Sequence, residues 1–204
     1  MKKDDNILFE RINLFALGNA AVGKTSCIFR FCQNQFKEDY LTTVGIDFMA
    51  KNVPLPNNRN TKICFYDTAG EEKFRAISFN LIKTADGILL MYDITFKNSF
   101  KAIPGWIDSI KQSKGEDFPI VLIGNKCDLE GKREVLKEEG EEVAQQNNLH
   151  FFETSNKDGI NVDEAIMDLI TIIVEKNDKK KKNEDNKIIK LENQKKEKKR
   201  KGCC

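Results

Sequence analysis

Eight consecutive residues, Gly18-Asn19-Ala20-Ala21-Val22-Gly23-Lys24-Thr25, have the spacing G-x-x-x-x-G-K-[ST]. The glycines let backbone N–H groups approach phosphates closely, and a helix opening at Lys24 adds partial positive charge. In such a loop the lysine reaches the β- and γ-phosphates and the Thr25 hydroxyl binds Mg²⁺. A chance match in about 200 residues is on the order of one in a hundred. A glycine turn beside a solvated lysine would not need a strand before it and a helix after it. Both are expected here, so Gly18–Ser26 is read as a phosphate-binding segment.

A second segment, Asn125-Lys126-Cys127-Asp128, follows the apolar run Ile120–Gly124. Ligands of open α/β sheets bind at the carboxyl ends of parallel strands. A carboxylate at Asp128 can accept from both N1–H and the 2-amino group of guanine. Adenine offers a lone pair at N1 and lacks that amine, leaving the buried carboxylate unpaired, a mismatch worth roughly 10⁴–10⁵ in discrimination. The stem of Lys126 can lie along the base plane. Alone, these four residues would suit a surface turn; behind a phosphate loop and a strand they point to guanine nucleotide.

These segments need a scaffold, and short apolar runs alternating with helical patterns supply one: βα units and a mainly parallel sheet. Strands are expected at Ile12–Leu17, Ile46–Val53, Lys62–Tyr66, Gly87–Tyr92, Ile120–Gly124 and His150–Glu153. Helices are expected at Lys24–Cys32, Ser99–Lys114, Lys137–Asn147 and Val162–Lys176. Pro54-Leu55-Pro56-Asn57-Asn58 predicts the turn of an antiparallel hairpin. The fold class is therefore α/β, a six-stranded, mostly parallel sheet flanked by helices.

The 204 residues suit one domain plus an appendage. Residues 1–10 read as a short arm, 11–176 as the globular domain and 177–204 as a flexible, disordered tail. That tail holds 12 Lys/Arg against 5 Asp/Glu, leaving the remainder net acidic within an overall charge of +2. A mildly acidic globule with a basic end is not the footprint of a nucleic-acid binder, but it suits an anionic lipid surface. Aromatic or helical readout features for nucleic acid are also missing from the tail.

The six cysteines form no metal-ligand spacing with the lone His150, which is read as a partly buried strand residue. Cys27, Cys32, Cys64 and Cys127 lie in apolar segments and read as small core residues in a reducing compartment. No signal-peptide core and no 18-residue apolar run occurs, which predicts a protein in the cytosol or on a cytosolic membrane face.

Together these residues resemble the Ras superfamily, and Thr43-Val44-Gly45-Ile46-Asp47-Phe48, Asp67-Thr68-Ala69-Gly70, Tyr92-Asp93-Ile94-Thr95, Asn125–Leu129 and Glu153-Thr154-Ser155 look like its Rab branch. The resemblance covers about Arg11–Lys176 and the last two residues. It implies a small GTPase of the P-loop class that binds GTP or GDP with Mg²⁺. By the same resemblance Thr43 contacts Mg²⁺ and the γ-phosphate, Asp67 lies on the Mg²⁺ side and the Gly70 N–H senses the γ-phosphate. Phe36 matches the aromatic residue covering the guanine edge, and Ser155, Asn156 and Lys157 fall in the remaining base loop. Catalysis then needs Lys24, Thr43, Gly70 and the residue at Glu71 rather than an acid–base triad. Switching follows because hydrolysis removes the phosphate that Thr43 and Gly70 hold.

The chain departs from the pattern at four places. Glu71 stands where the family usually has Gln, Tyr66 where a Trp precedes the aspartate, and Leu81-Ile82 where a Tyr-Tyr pair is usual. Asn156 replaces a usual Ala. Glu71 bears on the hydrolysis rate, and keeps open an alternative, a hydrolysis-poor module that recruits partners while GTP-loaded.

Terminal Cys203-Cys204 is not a C-a-a-X box and resembles the Rab signal for double geranylgeranylation. Two chains make a stable anchor where one binds marginally. The resemblance further implies an exchange factor, a GTPase-activating protein, a prenylation escort, a GDP-dissociation inhibitor and effectors. It places a monomer on the cytoplasmic face of an intracellular membrane, with a cytosolic pool.

Overall fold

The computed structural model describes residues 10–36, 46–55, 59–68 and 82–201. The expected turn at 56–58 lies outside the described residues, as do Thr43, Gly70, Glu71, Leu81, Cys203 and Cys204.

Six strands form one sheet: β1 Glu10–Leu17, β2 Ile46–Leu55, β3 Arg59–Thr68, β4 Gly87–Asp93, β5 Ile120–Asn125 and β6 His150–Thr154. Their order is β2-β3-β1-β4-β5-β6. Only β2 and β3 are antiparallel, with Phe48 opposite Tyr66 and Val53 opposite Thr61. All other pairs are parallel. Every residue of β4 and β5 is buried, as expected of central parallel strands covered on both faces. Each strand runs one to three residues past its expected limits at one or both ends, because ladder pairing continues into flanking residues, and in β3, β4, β5 and β6 this includes the polar residues that end the strand at the site.

The helices are α1 Lys24–Gln33, α2 Lys97–Lys101, α3 Ile103–Lys114, α4 Lys137–Asn147 and α5 Val162–Lys201. The single helix expected over Ser99–Lys114 is two. Pro104 has no N–H to give, and its ring would strike the carbonyl of Phe100, so the first helix stops and Pro104 opens the second. From α3, Ile103, Trp106, Ile107 and Ile110 enter one core with Phe15, Leu17, Ile88, Leu90, Tyr92 and Leu122. Truncating a buried member such as Ile107 to alanine costs about 2–5 kcal/mol. On α1, Phe31 meets Phe65 of β3 edge-on with ring centroids 5.5 Å apart. Asn34 ends α1 in the left-handed conformation, its N–H bonded to Arg30 O. Glu139 opens α4 by accepting the Leu136 N–H at 2.9 Å.

The chain divides into two compact units, 1–170 and 171–204. Past the expected helix end at Lys176, α5 runs on to Lys201. From Val162 to Lys201 there is no Gly or Pro, and Lys, Glu and Gln are good helix formers. No described helix is long and apolar enough to cross a membrane.

Two smaller expectations are corrected. His150 is exposed, because it begins an edge strand, and its Nδ1 lies 2.7 Å from Asp168 Oδ2. Cys27 and Cys64 are core residues, whereas Cys32 and Cys127 are only half-buried.

Candidate functional site

The site lies at the carboxyl ends of β1, β3, β4, β5 and β6. Strand β1 delivers Leu17 to the rim, and the chain must then turn away from β4 at once. Gly18 does so at φ 136°, and a Cβ there would sit 2.1 Å from Met91 O of β4. Ala20 and Ala21 form the exposed crest, Ala21 at φ 61°, and Val22 returns into the core. At Gly23, φ is 100° and a Cβ would lie 2.3 Å from Asn125 Nδ2. The two motif glycines are thus demanded by close neighbours on other elements, in addition to the room they leave for a ligand.

Lys24, the first residue of α1, is 5 % exposed. Its Nζ donates to Gly18 O at 3.0 Å and to Asn19 O at 2.8 Å, so the loop is wound around the ammonium. Burial pulls its pKa down to about 8, against the raising field of Asp67. A buried cation in a ring of backbone groups at a helix N-terminus is a seat for a phosphate anion, which would restore the charged form.

Next to it, Thr25 Oγ1 donates to Asp67 Oδ2 across 2.5 Å, joining the start of α1 to the end of β3. A hydroxyl and a carboxylate are the hard oxygen donors Mg²⁺ takes, one or two from protein and the rest from phosphate and water. Among the described residues no cluster of three or more His, Cys, Asp or Glu could hold a metal by itself. The donor set fits a cation shared with a nucleotide. Ser26 follows, half-buried on α1.

The second segment meets the first through buried amides. Asn125, at the end of β5, donates from Nδ2 to Val22 O at 2.8 Å and accepts from Thr154 Oγ1 at 3.1 Å. Lys126 follows at φ 72°, which turns its side chain out of the strand, and its Nζ lies 2.6 Å from Asp93 Oδ2. The other Asp93 oxygen accepts from Thr95 N and Thr95 Oγ1, at 2.8 and 2.7 Å.

Asp128 Oδ1 accepts from Ser155 Oγ at 2.6 Å, and that hydroxyl accepts from Asp158 N at 3.0 Å. Ser155 and Asn156 are buried and Lys157 is exposed. The Lys157 carbonyl accepts from Arg30 Nη2 at 2.5 Å. Phe36 is half-buried, three residues beyond the end of α1.

All the predicted residues among those described, Phe36 apart, are therefore tied into one rim by loops joined to each other. The sequence reading assigned no part to three groups that hold the rim: Asp93, Thr154 and Arg30. Asp93 and Thr154 are the last residues of β4 and β6, positions from which side chains face a site at the carboxyl ends of the strands. Arg30 carried no such signal, since it sits on a helix.

The sequence model described as the Ras family matches residues 13–175. The chain is similar to "Ras-related protein Rab-10" of Diplobatis ommata, 41 % identical over 86 % of each chain. It is similar to "Ras-related protein Rab-13" of Mesocricetus auratus, 43 % identical over 76 % of each chain. To "Ras-related protein Rab-3" of Caenorhabditis elegans it is 42 % identical over 80 % of this chain and 74 % of the relative. The family model covers most of the chain and the relatives are more than 40 % identical to it, so the chain belongs to the Ras family, in its Rab branch of small GTPases, which bind GTP and GDP with Mg²⁺.

Proposed function

We propose that the chain is a slowly hydrolysing, membrane-anchored GTPase switch of vesicle trafficking. Its phosphates rest on Gly18, Ala20, Ala21, Val22, Gly23, Lys24, Thr25 and Ser26. Thr25, Thr43 and Asp67 hold Mg²⁺, while Thr43 and the Gly70 N–H report the γ-phosphate. Asn125, Lys126 and Asp128 read guanine with Ser155, Asn156 and Lys157, and Phe36 covers the edge of the base.

The observation that carries this reading is the 2.8 Å bond from Asn125 to Val22 O, which joins the base segment to the phosphate loop. Two segments 103 positions apart in the chain are thereby joined directly. Ser155 uses one lone pair of Asp128 and fixes the carboxylate, leaving acceptor positions for guanine N1–H and its amine. GTP brings the phosphoryl group. The protein's own share is to neutralise charge at Lys24, orient the nucleotide and exclude the wrong base.

In this reading the paired Cys203 and Cys204 carry lipid on the cytoplasmic face of an intracellular membrane. A GDP-dissociation inhibitor keeps a cytosolic pool. Exchange factor, activating protein and effectors engage the monomer through the segments around Thr43 and Gly70. A second reading, a GTP-loaded recruitment module, is favoured by Glu71 alone. Nucleotide titration tests the base pocket. GTP and GDP should bind at least about a thousandfold tighter than ATP, and Asp128→Asn should shift preference to xanthine nucleotides. Equal affinity of the wild type for ATP and GTP would refute the reading.

A further inference from the structure

Asn156 stands where the family's base loop usually has alanine, and its side chain is not idle. It is 4 % exposed, and its Nδ2 donates to Gly23 O at 2.9 Å. A carbonyl has two lone pairs. On Gly23 the first is used by Cys27 N at 2.9 Å, the opening bond of α1, and Asn156 takes the second. Val22 O, one residue earlier, accepts from Asn125 Nδ2. Two successive carbonyls of the phosphate loop are thus each held by an asparagine amide from the base side. The missing Cβ of Gly23 makes room for both, since it would lie 2.3 and 2.8 Å from the two amide nitrogens.

The other end of the amide points to the same conclusion. Asn156 Oδ1 is buried with no hydrogen-bond partner among the described residues. A half-satisfied buried amide is costly, so what keeps the side chain in this position is its donor. The backbone is secured from behind: Arg30 Nε donates to Asn156 O at 2.8 Å, and Arg30 Nη2 to Lys157 O. An alanine at this position would keep the Arg30 bonds and lose the bond to Gly23.

We propose that Asn156 is a positioning residue that latches the base loop to the phosphate loop, so that release of guanine nucleotide runs through the opening of this contact. This rests on the base pocket assigned above. Opening either loop alone would tear the Asn156–Gly23 bond, so the latch slows dissociation and leaves association, which starts from the open form, nearly unchanged.

The test is stopped-flow release of a fluorescent GDP from the full chain in Mg²⁺, with Asn156→Ala and the isosteric Asn156→Asp, which keeps the volume and removes the donor. Asn156→Ala should release GDP about fivefold faster, the kinetic equivalent of one lost hydrogen bond, and Asn156→Asp at least as much faster because its carboxylate is repelled by the Gly23 carbonyl, with association by Asn156→Ala within twofold of wild type. Added amide exchange should be confined to residues 23–27 and 155–157. Exchange that also rises across β4 would mark general loosening and overturn the proposal, as would wild-type release rates in both variants. Should neither variant fold, a through-bond NMR coupling between Asn156 Nδ2 and the Gly23 carbonyl carbon is measurable on the wild type, and its absence overturns the latch. Asp128→Asn, assayed for base preference alongside, judges the pocket separately: its failure counts against the pocket, and the Asn156 rates alone judge the latch.

Discussion

Lys126 Nζ lies 2.6 Å from Asp93 Oδ2, an ion pair between the residue after β5 and the last residue of β4, whose partner in the sheet is Asn125. The aspartate is 8 % exposed and the lysine 32 %. The carboxylate is itself pinned by Thr95, so it sets the direction of the lysine stem. Asp93→Asn should keep an acceptor for Thr95 while freeing Lys126. A charge-assisted bond is worth about 1.5–3 kcal/mol, and solvent at the half-open lysine cuts that down. GDP affinity by calorimetry should fall roughly fivefold. Unchanged affinity would mean that Lys126 does not need its partner to meet the base.

The Thr25–Asp67 contact makes a prediction about the metal. Thr25→Asn places a bulkier amide where a hydroxyl meets the Asp67 carboxylate. Since the same cation also holds the γ-phosphate, GTP binding should weaken more than GDP binding, leaving an inactive form. Parallel titrations of both nucleotides with and without Mg²⁺ give the ratio. A mutant with the wild-type ratio would assign Thr25 another role.

Glu71 governs the hydrolysis rate in the reading proposed. Glutamine can accept from the attacking water and donate to the transferring group, whereas ionised glutamate only accepts and adds charge to an anionic centre. The intrinsic rate of this superfamily's reference member is about 10⁻⁴ s⁻¹, and this chain should be no faster. Glu71→Gln should raise the single-turnover rate and Glu71→Ala should change it little. A slower Glu71→Gln enzyme would make glutamate a working catalytic group.

Buried acids of the core predict alkaline sensitivity. Burial pushes the Cys27 thiol up to about 12 and Cys32 up to about 11 from an ordinary value near 9, and raises the Tyr92 phenol as well. Groups whose folded pKa is raised stabilise the fold fully below their unfolded pKa and lose that contribution as pH climbs toward the folded one. Lys24, pulled down to about 8, works in the opposite direction above that pH, so the melting temperature should fall between about pH 9 and 11, where the two thiols together outweigh the one lysine. Replacing Cys32 with Ser should remove part of the slope; an unchanged slope would exclude Cys32 as a contributor.

Cys203 and Cys204 stand at the end of the unit that follows residue 170. Replacing both with Ser should leave nucleotide affinity intact and move a tagged protein from membranes to the soluble fraction. Persistent membrane association of the double variant would locate the anchor elsewhere.

Some of this was legible because local chemistry dictates it. The motif from Gly18 to Thr25 and the carboxylate at Asp128 name the ligand, and the apolar runs that became β1, β4 and β5 place both at one edge of a parallel sheet. The break at Ala102 was not foreseen in the expected helix over Ser99–Lys114, although Pro104 cannot continue a helix from Phe100. The start of α5 at Val162 was legible, and its run past Lys176 goes with the absence of Gly and Pro and the supply of Lys and Glu.

What sequence alone determined is the identity of the chemical groups and their order along the chain, because a phosphate loop and a guanine-reading carboxylate are made of short, local patterns. What the tertiary structure alone decided is how those groups hold one another. Asn125 reaches Val22 from 103 positions away, Arg30 reaches Asn156 from 126, and Asn156 reaches Gly23 from 133. Such bonds depend on which strand ends the parallel order of the sheet brings together, and on Gly23, whose missing side chain lets both amides in. No local pattern carries that information, since an asparagine in a loop looks the same whether its amide meets water or a buried carbonyl.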